Sequence, residues 1–201
     1  MTLTADRPIA TDFAAARRAM VDSQLRVSGV NEEWVLAVMG TTAREEFVPE
    51  AARGHAYIDR AIPLGDGHAL PAPLVQGRML AEAAPTAQDD VLVVSCGSDY
   101  LAELVRPLAG SVTVVSAADA ATGKVSGSYS LLLIDGAVEQ LPAALTDSLV
   151  DAGRVVTGLV ERGVTRLAAG RKLAGSVALL PLAEIGIPVL AEFAAPKRWS
   201  F

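Results

Sequence analysis

Val91-Leu92-Val93-Val94-Ser95-Cys96-Gly97-Ser98-Asp99-Tyr100 is the stretch on which the fold turns. Four consecutive apolar β-formers without polar alternation read as a strand buried on both faces, the habit of a parallel sheet covered by helices. A polar loop with one glycine follows, and Tyr100 opens a helical spacing that runs to Leu108. Three further runs repeat the pattern: Val112-Thr113-Val114-Val115-Ser116, Leu131-Leu132-Leu133-Ile134 and Arg154-Val155-Val156-Thr157. Leu141 to Leu149 has helical spacing, and Asp151-Ala152-Gly153 reads as a helix-to-strand turn. Strand and helix thus alternate from Asp90 onward, as in an α/β fold with a doubly wound sheet. Val164 to Ala169 and Ser176 to Leu180, joined through Gly170 and Gly175, read as an antiparallel pair that closes it.

Towards the N-terminus the pattern becomes helical. Asp12 is placed to cap a helix with Phe13, Ala16, Met20 and Leu25 on one face, and Asn31 to cap a second that stops at Gly40. Ala56 to Ile58 reads as a short extended piece, Asp66-Gly67 as a hairpin turn, and Pro73 as the first turn of a helix to about Ala84.

Composition sets the outer limits. With 201 residues, 51% of them hydrophobic, the chain has material for one large core. A net charge of −6 without a basic stripe argues against nucleic acid as a partner. A single cysteine, Cys96, fits a reducing compartment, and Met1 to Ile9 shows neither an apolar signal core nor an Arg-rich transit pattern, so a cytoplasmic location is expected. No apolar run has the length of a membrane span. His55 and His68 have no second ligand at metal spacing and read as surface histidines. Trp34, Trp199 and Phe201 read as packing or docking groups, Arg162 and Arg166 as the solvated side of a turn, and Cys96 as a buried thiol.

Tyr57-Ile58-Asp59-Arg60-Ala61-Ile62-Pro63-Leu64-Gly65-Asp66-Gly67 carries a resemblance, together with Met20-Val21-Asp22-Ser23-Gln24-Leu25, Gly29-Val30 and Arg44-Glu45-Glu46-Phe47-Val48-Pro49. In combination they resemble the segments that precede the core of protein-L-isoaspartate O-methyltransferases, and the similarity extends to about residue 170. The resemblance implies a Rossmann-like class I methyltransferase fold with an antiparallel last strand. Residues 1–84 would form a helical segment and substrate-side hairpin packed on a core of 85–201, as one structural domain. It also implies S-adenosylmethionine as cofactor, no metal, and carboxyl methylation of isoaspartyl residues in protein repair. That chemistry needs no general base, because the substrate carboxylate is already ionised near neutral pH. Positioning and removal of water remain.

The positions that would face the cofactor are Ser95, Gly97, Asp99, Ser116 and Asp135, and the chain keeps the family pattern at Gly97 and Asp135 but departs from it at Ser95, Asp99 and Ser116. The family's Gly-x-Gly-x-Gly keeps only Gly97, with Ser98 or Asp99 placed to cap the following helix. Ser116 stands where an acidic side chain would hold the ribose, and Asp119 lies three residues too far along. The thirteen residues Ala117 to Tyr129 are too few for a helix and a third strand, so an irregular crossover and an exposed strand edge are expected. Pro71 stands where the family carries a serine. Asp59 and Asp135 are the remaining catalytic candidates, with Asp66 as a further polar group in the hairpin. The reading is a family member with lost or weakened cofactor binding, a pseudoenzyme acting as a binding or scaffold protein. Its partner would be a protein or peptide, with a possible homodimer through the exposed edge. The alternative is an active methyltransferase on isoaspartyl residues; a nicotinamide-dependent oxidoreductase lacks its glycine fingerprint.

Overall fold

A computed structural model describes residues 12–195; the expectations on Met1 to Ile9, Trp199 and Phe201 lie outside that range. Helix α1 (Phe13–Met20) begins where Asp12 Oδ1 accepts the Ala15 N–H at 2.9 Å, a cap worth about 1 kcal/mol. It widens into a π-helical turn at Val21–Leu25, tightens into a 3₁₀ turn at Arg26–Ser28 and stops at Gly29, whose φ is +87°. Helix α2 (Glu33–Thr41) starts later than the sequence suggests. Glu32 rather than Asn31 holds its N-cap position, because the Glu32 carboxylate accepts the Asn31 N–H and pulls the chain out of helical register there.

Ala56 to Ile58 is a turn after a 3₁₀ helix (Glu50–His55), not an extended piece. The buried Arg44 accounts for this: its Nε donates to the Ala56 carbonyl at 2.8 Å and folds the chain inward. Strands β1 (Ile62–Gly65) and β2 (His68–Leu70) form the expected hairpin, with φ of +49° at Asp66 and +82° at Gly67. Helix α3 (Pro73–Ala83) carries Pro73 in its first turn, where a missing N–H costs nothing.

The core sheet follows: β3 (Asp90–Ser95), α4 (Tyr100–Val105), β4 (Ser111–Ser116), α5 (Ala117–Ala121), β5 (Tyr129–Val138), α6 (Ala143–Asp147), β6 (Leu149–Glu161), β7 (Val164–Leu173) and β8 (Ser176–Glu184). The spatial order is β4-β3-β5-β6-β7-β8, parallel from β4 to β6 and antiparallel beyond. Every residue of β5 except Ser130 is buried, which is why its sequence shows no alternation. Asp151-Ala152-Gly153 is drawn into β6 as an irregularity, Ala152 having φ +61°. Arg162 sits in the β6–β7 turn, and Arg166 pairs with Glu161 and Glu184 on the solvated side.

Along the chain, among the described residues, no strand intervenes between β4 and β5, and β4 forms the sheet edge. The link between them is not wholly irregular. Its first five residues make α5, because Ser116 Oγ accepts the Asp119 N–H at 3.1 Å and caps it.

The segments that carry the family resemblance hold the N-terminal layer together. Arg17 donates to the Tyr57 hydroxyl (2.7 Å) and Glu45 (3.0 Å), and Gln24 Nε2 donates to the Tyr57 carbonyl (2.8 Å). The Tyr57 hydroxyl in turn donates to Glu45. Its phenol is pushed up to about 12 by burial and by Glu45.

Candidate functional site

The site begins at the loop between β3 and α4. Ser95 Oγ donates to the Ser98 carbonyl and accepts the Gly97 N–H, both at 3.1 Å, so the loop satisfies itself. Gly97 has φ +93°, a conformation that favours glycine. His68 lies over it, since a Cβ at Gly97 would stand 3.6 Å from His68 Cβ. The expected helix cap is absent: Ser98 Oγ donates to the Phe47 carbonyl at 3.1 Å, and Asp99 occupies the N-cap position without a side-chain bond. Phe47 packs its ring against Tyr100, which draws Ser98 towards the N-terminal layer and away from the helix.

At the end of β4, Ser116 is committed to α5. Its Oγ donates to Asp119 Oδ2 at 2.9 Å, and Asp119 also pairs with Lys124 at 3.0 Å. Lys124 and Ser116 hold the exposed Asp119 carboxylate below its ordinary range.

Asp135, expected to face a ligand at the end of β5, is fully enclosed instead. Gln76 Nε2 donates to both of its oxygens (3.1 and 3.0 Å), and Cys96 Sγ donates to Oδ2 at 3.3 Å. Gln76 Oε1 accepts from Arg44, whose Nη2 donates to the Pro71 carbonyl and whose guanidinium lies 4.8 Å from the centre of the Tyr100 ring. Burial raises the Asp135 pKa to about 6, against the pull of Gln76, Cys96 and Arg44. Burial also pushes the Cys96 thiol up, which leaves it a structural group rather than a nucleophile. The Tyr100 hydroxyl is buried and without a hydrogen-bond partner.

The sequence reading missed the chain's last described segment. After β8 the backbone passes Gly186 and lays Ile187–Ala195 across the ends of the sheet. Ala137 N donates to the Pro188 carbonyl (2.8 Å), Leu190 N donates to the Ala137 carbonyl (2.9 Å), and Glu139 and Gln140 donate to the Phe193 carbonyl. Val189 bridges to Ala137 in parallel. Leu190 fills the space over Gly136, where a Cβ would come within 2.6 Å of its Cγ; at Gly158 a Cβ would meet Ala137 of β5 at 2.7 Å and Ile187 Cγ2 at 2.9 Å. The 3₁₀ turn Ala191–Phe193 packs against α5, with Phe193 buried, and Glu192 Oε1 meets His68 Nε2 at 2.8 Å. Leu190, Glu192 and Phe193 therefore stand where the ends of β3, β4 and β5 converge. The signal was present in Gly136 and Gly158, since glycine at a strand end marks close approach of another segment.

Asp59 lies apart, exposed, on a groove of about 330 Å³ shared with Arg60, Leu74 and Ile185. An apolar groove of about 440 Å³ borders the other side of Arg60, lined by Pro49, Ile58, Ile62 and His55. Asp66 is exposed in the hairpin turn, and Trp34 packs against the core. Among the described residues no group of three or more His, Cys, Asp or Glu is placed to hold a metal, and no helix is long and apolar enough to cross a membrane.

The family sequence model described as protein-L-isoaspartate(D-aspartate) O-methyltransferase matches residues 15–122. A protein-L-isoaspartate O-methyltransferase of Koribacter versatilis is 32% identical over 193 residues, covering 84% of this chain and 87% of its own. Another from Anaeromyxobacter is 32% identical over 165 residues, covering 70% of this chain and 68% of its own. Among solved structures, a Plasmodium falciparum protein of the same description, crystallised with S-adenosyl-L-homocysteine, superposes with a TM-score of 0.70 at 15% identity, covering 88% of this chain and 98% of its own. Sheet order, hairpin, N-terminal layer and relatives agree: the chain has the Rossmann-like class I methyltransferase fold and belongs to the protein-L-isoaspartate O-methyltransferase family.

Proposed function

We propose that this chain is a family member in which carboxyl methylation is lost or strongly weakened, and that it works as a non-catalytic protein- or peptide-binding protein. The observation that carries this reading is the crevice at the ends of β3, β4 and β5, which the chain fills with its own Leu190, Glu192 and Phe193. The surrounding residues do not fit S-adenosylmethionine. Asp119 is tied to Ser116 and Lys124, Asp135 is enclosed by Gln76 and Cys96, and His68 covers Gly97. A nucleoside entering there would have to displace buried apolar side chains and break the β5 main-chain bonds. Asp59, outside the crevice, then serves as a surface contact on the groove beside Arg60 rather than as a catalytic group.

Calorimetric titration with S-adenosylmethionine and with its demethylated product tests this. The expected result is no binding tighter than about 1 mM, corresponding to roughly 4 kcal/mol. A micromolar dissociation constant for the intact chain would overturn the reading in favour of an active S-adenosylmethionine-dependent carboxyl methyltransferase on isoaspartyl residues.

A further inference from the structure

Ile187–Phe193 is held in the manner of a bound peptide. It adds main-chain hydrogen bonds to the end of β5 on both sides of Ala137. It seats an aliphatic side chain over Gly136. It places a carboxylate on His68 and buries an aromatic ring beside α5. Main-chain pairing combined with side-chain pockets is the way proteins take up extended peptides.

The fit is imperfect. Glu192 Oε2 is buried with no partner, and the contact between Glu192 and His68 is partly exposed, which keeps it weak. The root is held by Thr165, whose Oγ1 accepts the Ile187 N–H at 3.0 Å and donates to the Ile185 carbonyl at 2.7 Å, while nothing lies within 4 Å of a Cβ built at Gly186 between them. A segment with an unpaired buried oxygen, rooted through one threonine side chain, can be exchanged for a better ligand.

We propose that this crevice is a peptide-binding site, filled in cis by Ile187–Phe193. Its external ligand is an extended peptide of the same chemistry: an aliphatic side chain, one intervening residue, a carboxylate, then an aromatic ring. The proposal rests on the reading that the crevice takes no nucleoside. It also accounts for His68, whose ring Nε2–H donates to the ligand's carboxylate, and for Gly136, whose missing side chain makes the aliphatic pocket. Tethering gives the native segment an effective concentration on the order of 1 mM, so a free peptide competes poorly until that segment is weakened.

The test titrates a fluorescent peptide with the sequence of residues 187–195 against two full-length chains, followed by anisotropy. One is unaltered; the other carries Leu190→Gly and Phe193→Gly, with a circular-dichroism melt to verify folding. Should the double variant fail to fold, Glu192→Ala alone takes its place. The expected result is saturable binding below about 100 µM to the altered chain and at least about tenfold weaker binding to the unaltered one. Replacing the leucine by glycine or the glutamate by alanine in the peptide should weaken binding about tenfold, and millimolar S-adenosylhomocysteine should not compete. A folded variant that binds no peptide, or binds all of them equally, overturns the proposal and leaves the non-catalytic reading standing. Tight binding of S-adenosylhomocysteine to the unaltered chain would overturn both.

Discussion

Asp135 is a residue whose ionisation the fold moves towards neutral pH. Its pKa rises from 3.8 to about 6 on folding, so the native state holds a proton more tightly than the unfolded chain does. The stabilising contribution of that proton is full below the unfolded pKa and disappears as pH rises through about 6, for a total of about 3 kcal/mol. Asp135→Asn removes the dependence. The melting temperature of the natural chain relative to this variant is expected to be higher at pH 5 than at pH 8, by about 1 kcal/mol or roughly 2–4 °C. A difference that does not move with pH would mean that Asp135 ionises like an ordinary carboxylate. The position of this residue at a strand end was legible in the sequence. Its enclosure was not, because the partners that close it, Gln76 and Arg44, come from a helix and a turn far away in the chain.

At the scale of elements, the segment Ile187–Ala195 is anchored by the absence of a side chain at Gly136. Gly136→Ala would place a Cβ within 2.6 Å of Leu190 Cγ, and the segment must shift to make room. The expected cost is about 1–3 kcal/mol, with faster proteolysis near Gly186; Gly186→Ala, which meets nothing, serves as the silent control. Thermal melts and limited proteolysis of the pair decide whether the close contact holds the segment down. Sequence periodicity had little to say about this element. Ile187-Pro188-Val189-Leu190 has no helical or alternating repeat, and its structure comes from what it packs against. The strands, by contrast, were legible because burial on both faces writes itself as unbroken apolar runs. α5 escaped notice for another reason: five residues are too short to show a period, and only the Ser116 cap defines them. Ser116→Ala should therefore cost about 1 kcal/mol, read from denaturant unfolding.

The whole molecule has two sheet edges of different character. On β8, Pro181 lacks an N–H and Glu184 adds charge, both of which discourage pairing with another chain. On β4, which the missing neighbour strand leaves at the edge, Ser111 to Ser116 carries neither proline nor charge. The expected outcome is a homodimer through β4, seen as a concentration-dependent mass in sedimentation and abolished by Thr113→Pro; a monomer at high concentration would count against it. The resemblance to known sequences made the missing strand foreseeable, but the closing of the crevice by the chain's own end was not. That closure joins residues far apart in the chain, His68 in its first half and Glu192 near its end, separated by 124 positions. A contact of such long sequence separation is expected to form only after the sheet between its ends has assembled. Interactions absent from the folding transition state slow unfolding without hastening folding. The His68–Glu192 pair thus governs the lifetime of the native molecule rather than the speed at which it is made. Glu192→Ala should accelerate unfolding by about fivefold, with refolding unchanged in stopped-flow mixing.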